Sequence, residues 1–120
     1  MEKAVIIGWV LSTLGAVPLI LGGVINFLKL PVAVKNTEHV GFPLDVVRAF
    51  GVTKVSIAIL SLVPATALIG VILATGWMGG AIAAHVRVKE RYFIQIIIPI
   101  AIWVGFGLRH QTAMHSLLGF

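Results

Sequence analysis

Long apolar stretches separated by short polar ones dominate the pattern of this chain. The longest charge-free stretch, Val55–Ala84, runs for thirty residues, and a straight helix of that length would extend roughly 45 Å. The hydrocarbon core of a bilayer is only about 30 Å thick, and Pro64 cannot continue a helix without losing a backbone hydrogen bond. The pattern therefore predicts two helices that fold back on each other at Leu62–Thr66.

Two further apolar stretches predict helices on either side of this hairpin. The first, Ala4–Leu28, carries no charge and exceeds the apolar core of a signal peptide, about 7–15 residues, so it is interpreted as a retained span. Together the stretches predict an all-α integral membrane four-helix bundle that forms a single domain over 1–120. The predicted helices cover about 4–28, 45–63, 66–85 and 92–109.

The remaining segments are polar or short. Residues 31–43 are expected to form a polar connection, and residues 110–120 a short turn or helix at the membrane interface. Asp45 is expected to help cap the second helix, where a negative charge also suits the helix dipole.

Composition supports the membrane interpretation and excludes several function classes. Of the 120 residues, 59% are hydrophobic and 11% are charged, with a mean hydropathy of +1.09, which is too little charge to cover a water-soluble domain. The absence of cysteine excludes disulfides, thiolate metal sites and thiol catalysis. The net charge of +5 does not indicate nucleic-acid binding, because the basic residues lie at the ends of apolar segments.

The distribution of basic residues predicts the orientation in the membrane. An even number of spans places both termini on one side, together with Lys3 and Arg109. The other side receives seven basic residues: Lys29, Lys35, Arg48, Lys54, Arg87, Lys89 and Arg91. The positive-inside rule therefore predicts cytoplasmic charged loops and both termini outside, in what we expect to be the cell membrane.

Small residues recur at every fourth position on three of the predicted helices. They are Gly76, Gly80 and Ala84 on the third, Gly8, Ser12 and Ala16 on the first, and Ala101 and Gly105 on the fourth. Such spacing allows close approach of helices in lipid. It indicates either packing within the chain or assembly into a homo-oligomer.

Lys54 is the most unusual polar residue, because it lies well inside the second predicted helix. A charge there is costly unless it is solvated or paired. Its long side chain either extends toward the membrane surface or faces an internal cavity. Other polar residues fall at the same end of the bundle, so a cytoplasm-facing pocket is predicted from Asn26, Asp45, Lys54, His85, Arg87 and Gln95. The alternative is that these residues cap helices and anchor loops.

Two tryptophans are predicted near mid-membrane rather than at the interfaces that membrane tryptophans favour. Trp77 and Trp103 either pack against the glycines or form an aromatic wall for an apolar ring ligand. The four histidines are too scattered to predict a metal or haem site. No cofactor is evident from the residues, although a quinone or another lipophilic ligand is compatible with such a wall.

Several short motifs, in order, resemble the DoxX-like family of small four-helix membrane proteins. They are Gly22-Gly23, Gly41-Phe42-Pro43, Phe50-Gly51-Val52, Leu62-Val63-Pro64, residues 76–81 (GWMGGA), Ala84-His85-Val86-Arg87, Trp103 and Leu108-Arg109. The resemblance implies a lysine where Asn26 stands, a glutamate where Lys54 stands, and a basic residue where Ala65 stands, so this chain departs from the family at three polar positions.

The resemblance also implies a function, since named members look like partners of redox enzymes, such as a subunit of a thiosulfate:quinone oxidoreductase. The leading hypothesis is an accessory subunit or lipophilic-ligand binder linked to a quinone-dependent redox system, with a membrane or cytoplasmic redox enzyme as its partner. The alternative is a membrane-embedded enzyme that uses Lys54, His85 or Asp45 in acid–base chemistry. A small transporter is disfavoured, because the first helix has no carboxylate.

Overall fold

The computed structural model describes residues 2–119, which form helices joined by short connections, with no strand in that range. Six helices are present there: α1 (Lys3–Phe27), α2 (Pro31–His39), α3 (Val47–Leu62), α4 (Ala67–Arg87), α5 (Phe93–Arg109) and α6 (Gln111–Leu118). Single 3₁₀ turns at Leu44–Val46 and Pro64–Thr66 precede α3 and α4. The all-α prediction is confirmed. The predicted helices did not include α2, whereas α6 falls in the segment 110–120, for which a short turn or helix was expected.

The α2 helix corrects the prediction of an irregular polar connection over 31–43. Pro31 occupies its first turn, where the missing proline N–H breaks no helical hydrogen bond. Ala33 and Thr37 are the buried residues of this helix. They are four residues apart, so they lie on the same face, and this face packs against the rest of the protein.

Two helical segments are long and apolar enough to cross a membrane, Lys3–Phe27 and Pro64–Arg87. The pair α5 and α6 would supply a third span if taken together, but the chain bends by 111° between them. Large apolar side chains point outward from the helices: Leu14 is 61% exposed, Ile69 58% and Phe93 72%. Such a surface suits hydrocarbon rather than water.

Close helix crossings hold the four longest helices together. Helix α1 packs against α3 and α5, and α4 packs against the same two. A Cβ on Gly51 would lie 2.5 Å from the Gly23 carbonyl oxygen, and one on Gly105 would lie 2.8 Å from that of Gly8. Only glycine allows these backbone approaches, which confirms the predicted small-residue packing for Gly8 and Gly105.

The reversal between α3 and α4 confirms the predicted hairpin and shows how its carbonyl groups are satisfied. Pro64 has no N–H to offer the Leu60 carbonyl, which instead accepts a hydrogen bond from the Thr66 hydroxyl at 2.9 Å. Arg109 donates to the carbonyls of Ser61 and Leu62, each at 3.3 Å. The last turn of α3 is therefore capped by side chains from the hairpin and from α5.

Arg109 also connects this hairpin to the first helix. Its guanidinium donates to the Ser12 hydroxyl at 2.9 Å and lies 3.8 Å from the centroid of the Trp9 ring. One side chain thereby ties α1, α3 and α5 together at the end of the molecule that carries the hairpin, which we call the hairpin end.

Candidate functional site

A cavity of 450 Å³ lies at the opposite end, which we call the polar end: it carries the connection 28–46 and the loop 88–92. Each of the helices α1 to α5 contributes to its wall. The lining residues are Pro18, Leu19, Asn36, Thr37, Val40, Phe42, Phe50, Lys54, Gly76, Trp77, Met78, Gly80, Ala81, Ala84, His85, Ile94, Gln95 and Ile98. This polar-end cavity is within the size range of small-molecule sites, about 300–1,000 Å³.

Small residues of α4 leave the space that forms the cavity. Gly76, Gly80 and Ala84 line it, and a Cβ on either glycine would meet no heavy atom within 4 Å. The two glycines thus do not make a close helix contact within the chain, which was one of the two interpretations of their spacing. They leave space in front of α4 instead.

Lys54 lines this space and is held in place by a buried amide. Its ammonium group donates to Oδ1 of Asn26 at 3.3 Å, and the Asn26 amide nitrogen donates to the Val47 carbonyl at 3.3 Å. Helix α1 passes close beside the lysine at Gly22, where a Cβ would lie in ordinary van der Waals contact with Nζ, at 3.6 Å. The two positions at which the resemblance implied lysine and glutamate are therefore in direct contact, here as Asn26 and Lys54.

His85 and Gln95, two residues of the predicted pocket, line the cavity from α4 and α5. The His85 Nδ1 atom lies 2.7 Å from the Ala81 carbonyl oxygen. A carbonyl oxygen only accepts hydrogen bonds, so Nδ1 carries the proton. In the neutral ring Nε2 is then the acceptor atom. Asn36 and Thr37 of α2 also line the cavity, and the sequence reasoning missed both because α2 was not predicted.

The aromatic side of the cavity differs from the prediction. Trp77 lines it, but Trp103 does not; the Trp103 indole instead donates to the Thr75 hydroxyl at 2.6 Å. Phe50 meets Trp77 edge-on, with ring centroids 5.1 Å apart, and Phe42 meets Phe50 at 5.2 Å. The wall therefore consists of Phe42, Phe50 and Trp77, which we call the aromatic wall.

Three of the six predicted pocket residues, Asn26, Asp45 and Arg87, lie outside the cavity lining. Asp45 is exposed in the 3₁₀ turn before α3 and makes no capping hydrogen bond. Arg87 donates from Nη2 to the Val40 carbonyl, so it fixes the α2–α3 connection to the end of α4. At Gly41 the backbone has φ of +89°, and a Cβ there would lie 2.6 Å from Nη2 of Arg87. Arg87 thus shapes the rim formed by Val40 and Phe42.

The titratable residues that line the cavity are all basic. Lys54 and His85 are its titratable lining residues, and none of the acidic residues of the described chain lines it. Within residues 2–119, the His39 Nε2 atom lies 3.3 Å from a Glu90 carboxylate oxygen, on exposed side chains, and this contact is an ion pair only when His39 is protonated. No group of three or more potential metal ligands occurs in that range.

The comparisons with known proteins place the chain in a family without assigning it an activity. The model of the DoxX-like family matches residues 10–106, which include every residue that lines the cavity. No curated protein and no solved structure matches the chain. Apolar helices and this match together identify an integral membrane protein, and the chain belongs to the DoxX-like family.

Proposed function

We propose that this protein is an accessory membrane protein that binds a lipophilic, ring-bearing small molecule in the polar-end cavity. The observation that carries the proposal is the composition of the cavity wall. Three edge-to-face aromatic rings and several aliphatic side chains surround a small number of polar groups, of which Lys54 is held by Asn26. Largely apolar walls with few placed polar groups are typical of small-molecule sites.

A quinone is the ligand that we propose to test first, with a redox enzyme as the partner that uses it. The family resemblance supports this part of the proposal. A quinone ring would lie against Trp77 and Phe50, where offset or edge contacts between rings are favourable. One quinone carbonyl would accept a hydrogen bond from the Lys54 ammonium.

We also infer that α1, α3, α4 and α5 all cross the bilayer as a four-helix bundle. Helix α5 has 17 residues and α3 has 16, extended by the Leu44–Val46 turn, and spans begin at about 17 residues. Both helices pack between α1 and α4, and both expose apolar side chains outward, such as Val52, Ile59 and Ile97. In this arrangement the polar end is cytoplasmic.

Single-cysteine labelling tests this topology without background, because the chain has no cysteine. A cysteine at Lys35 or Lys89 is expected to react with an impermeant maleimide only after the cells are opened. A cysteine at Ala65 or Thr112 is expected to react in intact cells. Labelling of Lys89→Cys and Ala65→Cys from the same side would contradict the four-span arrangement.

Ligand binding is tested by titrating the protein in lipid nanodiscs with a naphthoquinone and following tryptophan fluorescence. Trp77 lies in the cavity wall, whereas Trp103 does not, so bound quinone is expected to quench Trp77 and to saturate. Trp77→Phe keeps a ring beside Phe50 and is expected to lose most of the quenching. Quenching that rises linearly, as in protein-free nanodiscs with free tryptophan, would contradict the proposal.

A further inference from the structure

Lys54 places an amino group, which is a cation when protonated, in the cavity wall, and no carboxylate in the described part of the chain accompanies it. Glu2, Glu38, Asp45 and Glu90 all lie outside the cavity lining. The partner that Lys54 does have is the neutral amide of Asn26. An ammonium group at membrane depth is costly unless a counter-charge or water compensates it.

The geometry leaves part of the ammonium group available for a ligand. A lysine has three N–H donors, and the structure assigns one of them to Asn26 Oδ1 at 3.3 Å. Asn26 is itself oriented by its bond to the Val47 carbonyl and is only 6% exposed. The amide therefore fixes the position of Nζ without neutralising its charge.

The other titratable residue that lines the cavity is His85. Its imidazole ring carries no charge when neutral and a positive charge when protonated, so it never adds a negative charge. Because lysine and histidine are the titratable groups that line the cavity from α3 and α4, with none from α1, α2 or α5, protonation makes the lining neutral or positive, never negative. Such a site disfavours cationic ligands and favours anionic ones.

We propose that the ligand of the polar-end cavity is a lipophilic acid, whose anionic oxygen pairs with Lys54 and whose ring lies against the aromatic wall. This inference rests on the proposed function, since it specifies the polar group of the ligand that the cavity holds. An ionised oxygen accepts shorter and stronger hydrogen bonds from an ammonium group than a neutral carbonyl does. Acidic quinones and aromatic carboxylates share this chemistry.

A matched pair of probes tests the proposal on the whole protein in nanodiscs of uncharged phosphatidylcholine. One probe is an alkyl hydroxynaphthoquinone, which is ionised at neutral pH; the other is its O-methyl ether, which has the same ring and no charge. The acid is expected to bind about ten- to hundredfold more tightly than the ether, as a charge-assisted hydrogen bond implies. An arylcarboxylate and its methyl ester, compared in the same way, show whether the preference is for the quinone ring or for any lipophilic acid.

Variants of Lys54 identify the group responsible. Lys54→Gln keeps a donor for Asn26 but removes the charge, and Lys54→Met removes both; each is expected to lower the affinity for the acid to that for the ether. Lys89→Gln removes a cation from the loop at the same end, outside the cavity, and is expected to leave the preference intact. If neither Lys54 variant folds, the acid-to-ether ratio of the wild type still decides the proposal.

Equal binding of acid and ether by the wild type would overturn the acid proposal while leaving the proposed function in place. A preference that survives in Lys54→Gln would also overturn it, because another group would then hold the anion. Failure of both probes to bind would contradict the proposed function itself.

Discussion

Replacing Gly70 with alanine is expected to separate α3 from α4 and to lower the free energy of unfolding by about 3 kcal/mol, the upper end of the usual cost of overpacking. The added Cβ would lie 2.5 Å from the carbonyl carbon of Leu60 and would overlap the backbone nitrogen of Ser61. Both obstacles are backbone atoms of α3, so no side-chain rotation relieves the overlap. The helices must move apart at the crossing that forms the hairpin.

Unfolding of the purified protein in mixed detergent micelles, titrated with sodium dodecyl sulfate, measures this effect. Gly79→Ala is the matched control on the same helix, because a Cβ there meets no heavy atom within 4 Å. Alanine favours a helix over glycine by up to about 1 kcal/mol, so Gly79→Ala is expected to be neutral or slightly stabilising. Equal unfolding midpoints for the two variants would show that the α3–α4 crossing is looser than described.

Replacing Arg109 with methionine is the other change with a large expected effect on stability. It removes the donors to the carbonyls of Ser61 and Leu62 and to the Ser12 hydroxyl. Each buried polar group left without a partner costs about 1–3 kcal/mol, and Ser12 and Ser61 are each only 4% exposed. The expected loss of stability is therefore several kcal/mol, concentrated at the hairpin end.

The hairpin end can be followed separately from global unfolding by hydrogen exchange of the peptide 60–70. Arg109→Met is expected to raise exchange there, while Arg109→Lys, which keeps one donor group, is expected to have an intermediate effect. Arg91→Met is a suitable control because Arg91 lies exposed in the α4–α5 loop. Unchanged exchange in Arg109→Met would mean that Thr66 and the backbone alone hold the reversal.

The hairpin was predictable from the sequence because proline and membrane thickness leave few alternatives for Val55–Ala84. The roles of Arg109 and Thr66 were not, because their acceptors lie 47 and 6 residues away and the partners of a freed carbonyl depend on packing. The α2 helix was missed for a different reason. Residues 31–39 mix Lys35, Glu38 and His39 with few apolar side chains, and such a short segment forms a helix only when the rest of the protein supports it.

The candidate site was predicted in part. The depth of Lys54 in an apolar stretch pointed to an unusual residue, and Lys54, His85, Gln95 and Trp77 do line one cavity. The spacing of Gly76 and Gly80 indicates which face of the helix carries small side chains. It does not determine whether another helix or an empty space lies against that face. Phe42 and Phe50 were visible only as parts of the family motifs, because nothing local distinguishes a wall residue from a core residue.

The effect of filling the polar-end cavity on ligand affinity tests the central claim most directly. Gly80 lines the cavity and Gly79 does not, yet both positions are open enough for a Cβ, so Gly80→Leu and Gly79→Leu differ mainly in where the new side chain points. With the naphthoquinone titration as readout, Gly80→Leu is expected to weaken binding at least about tenfold, a change of only about 1.4 kcal/mol, while Gly79→Leu binds like the wild type. Equal affinity in both variants would contradict the claim that the ligand occupies this cavity.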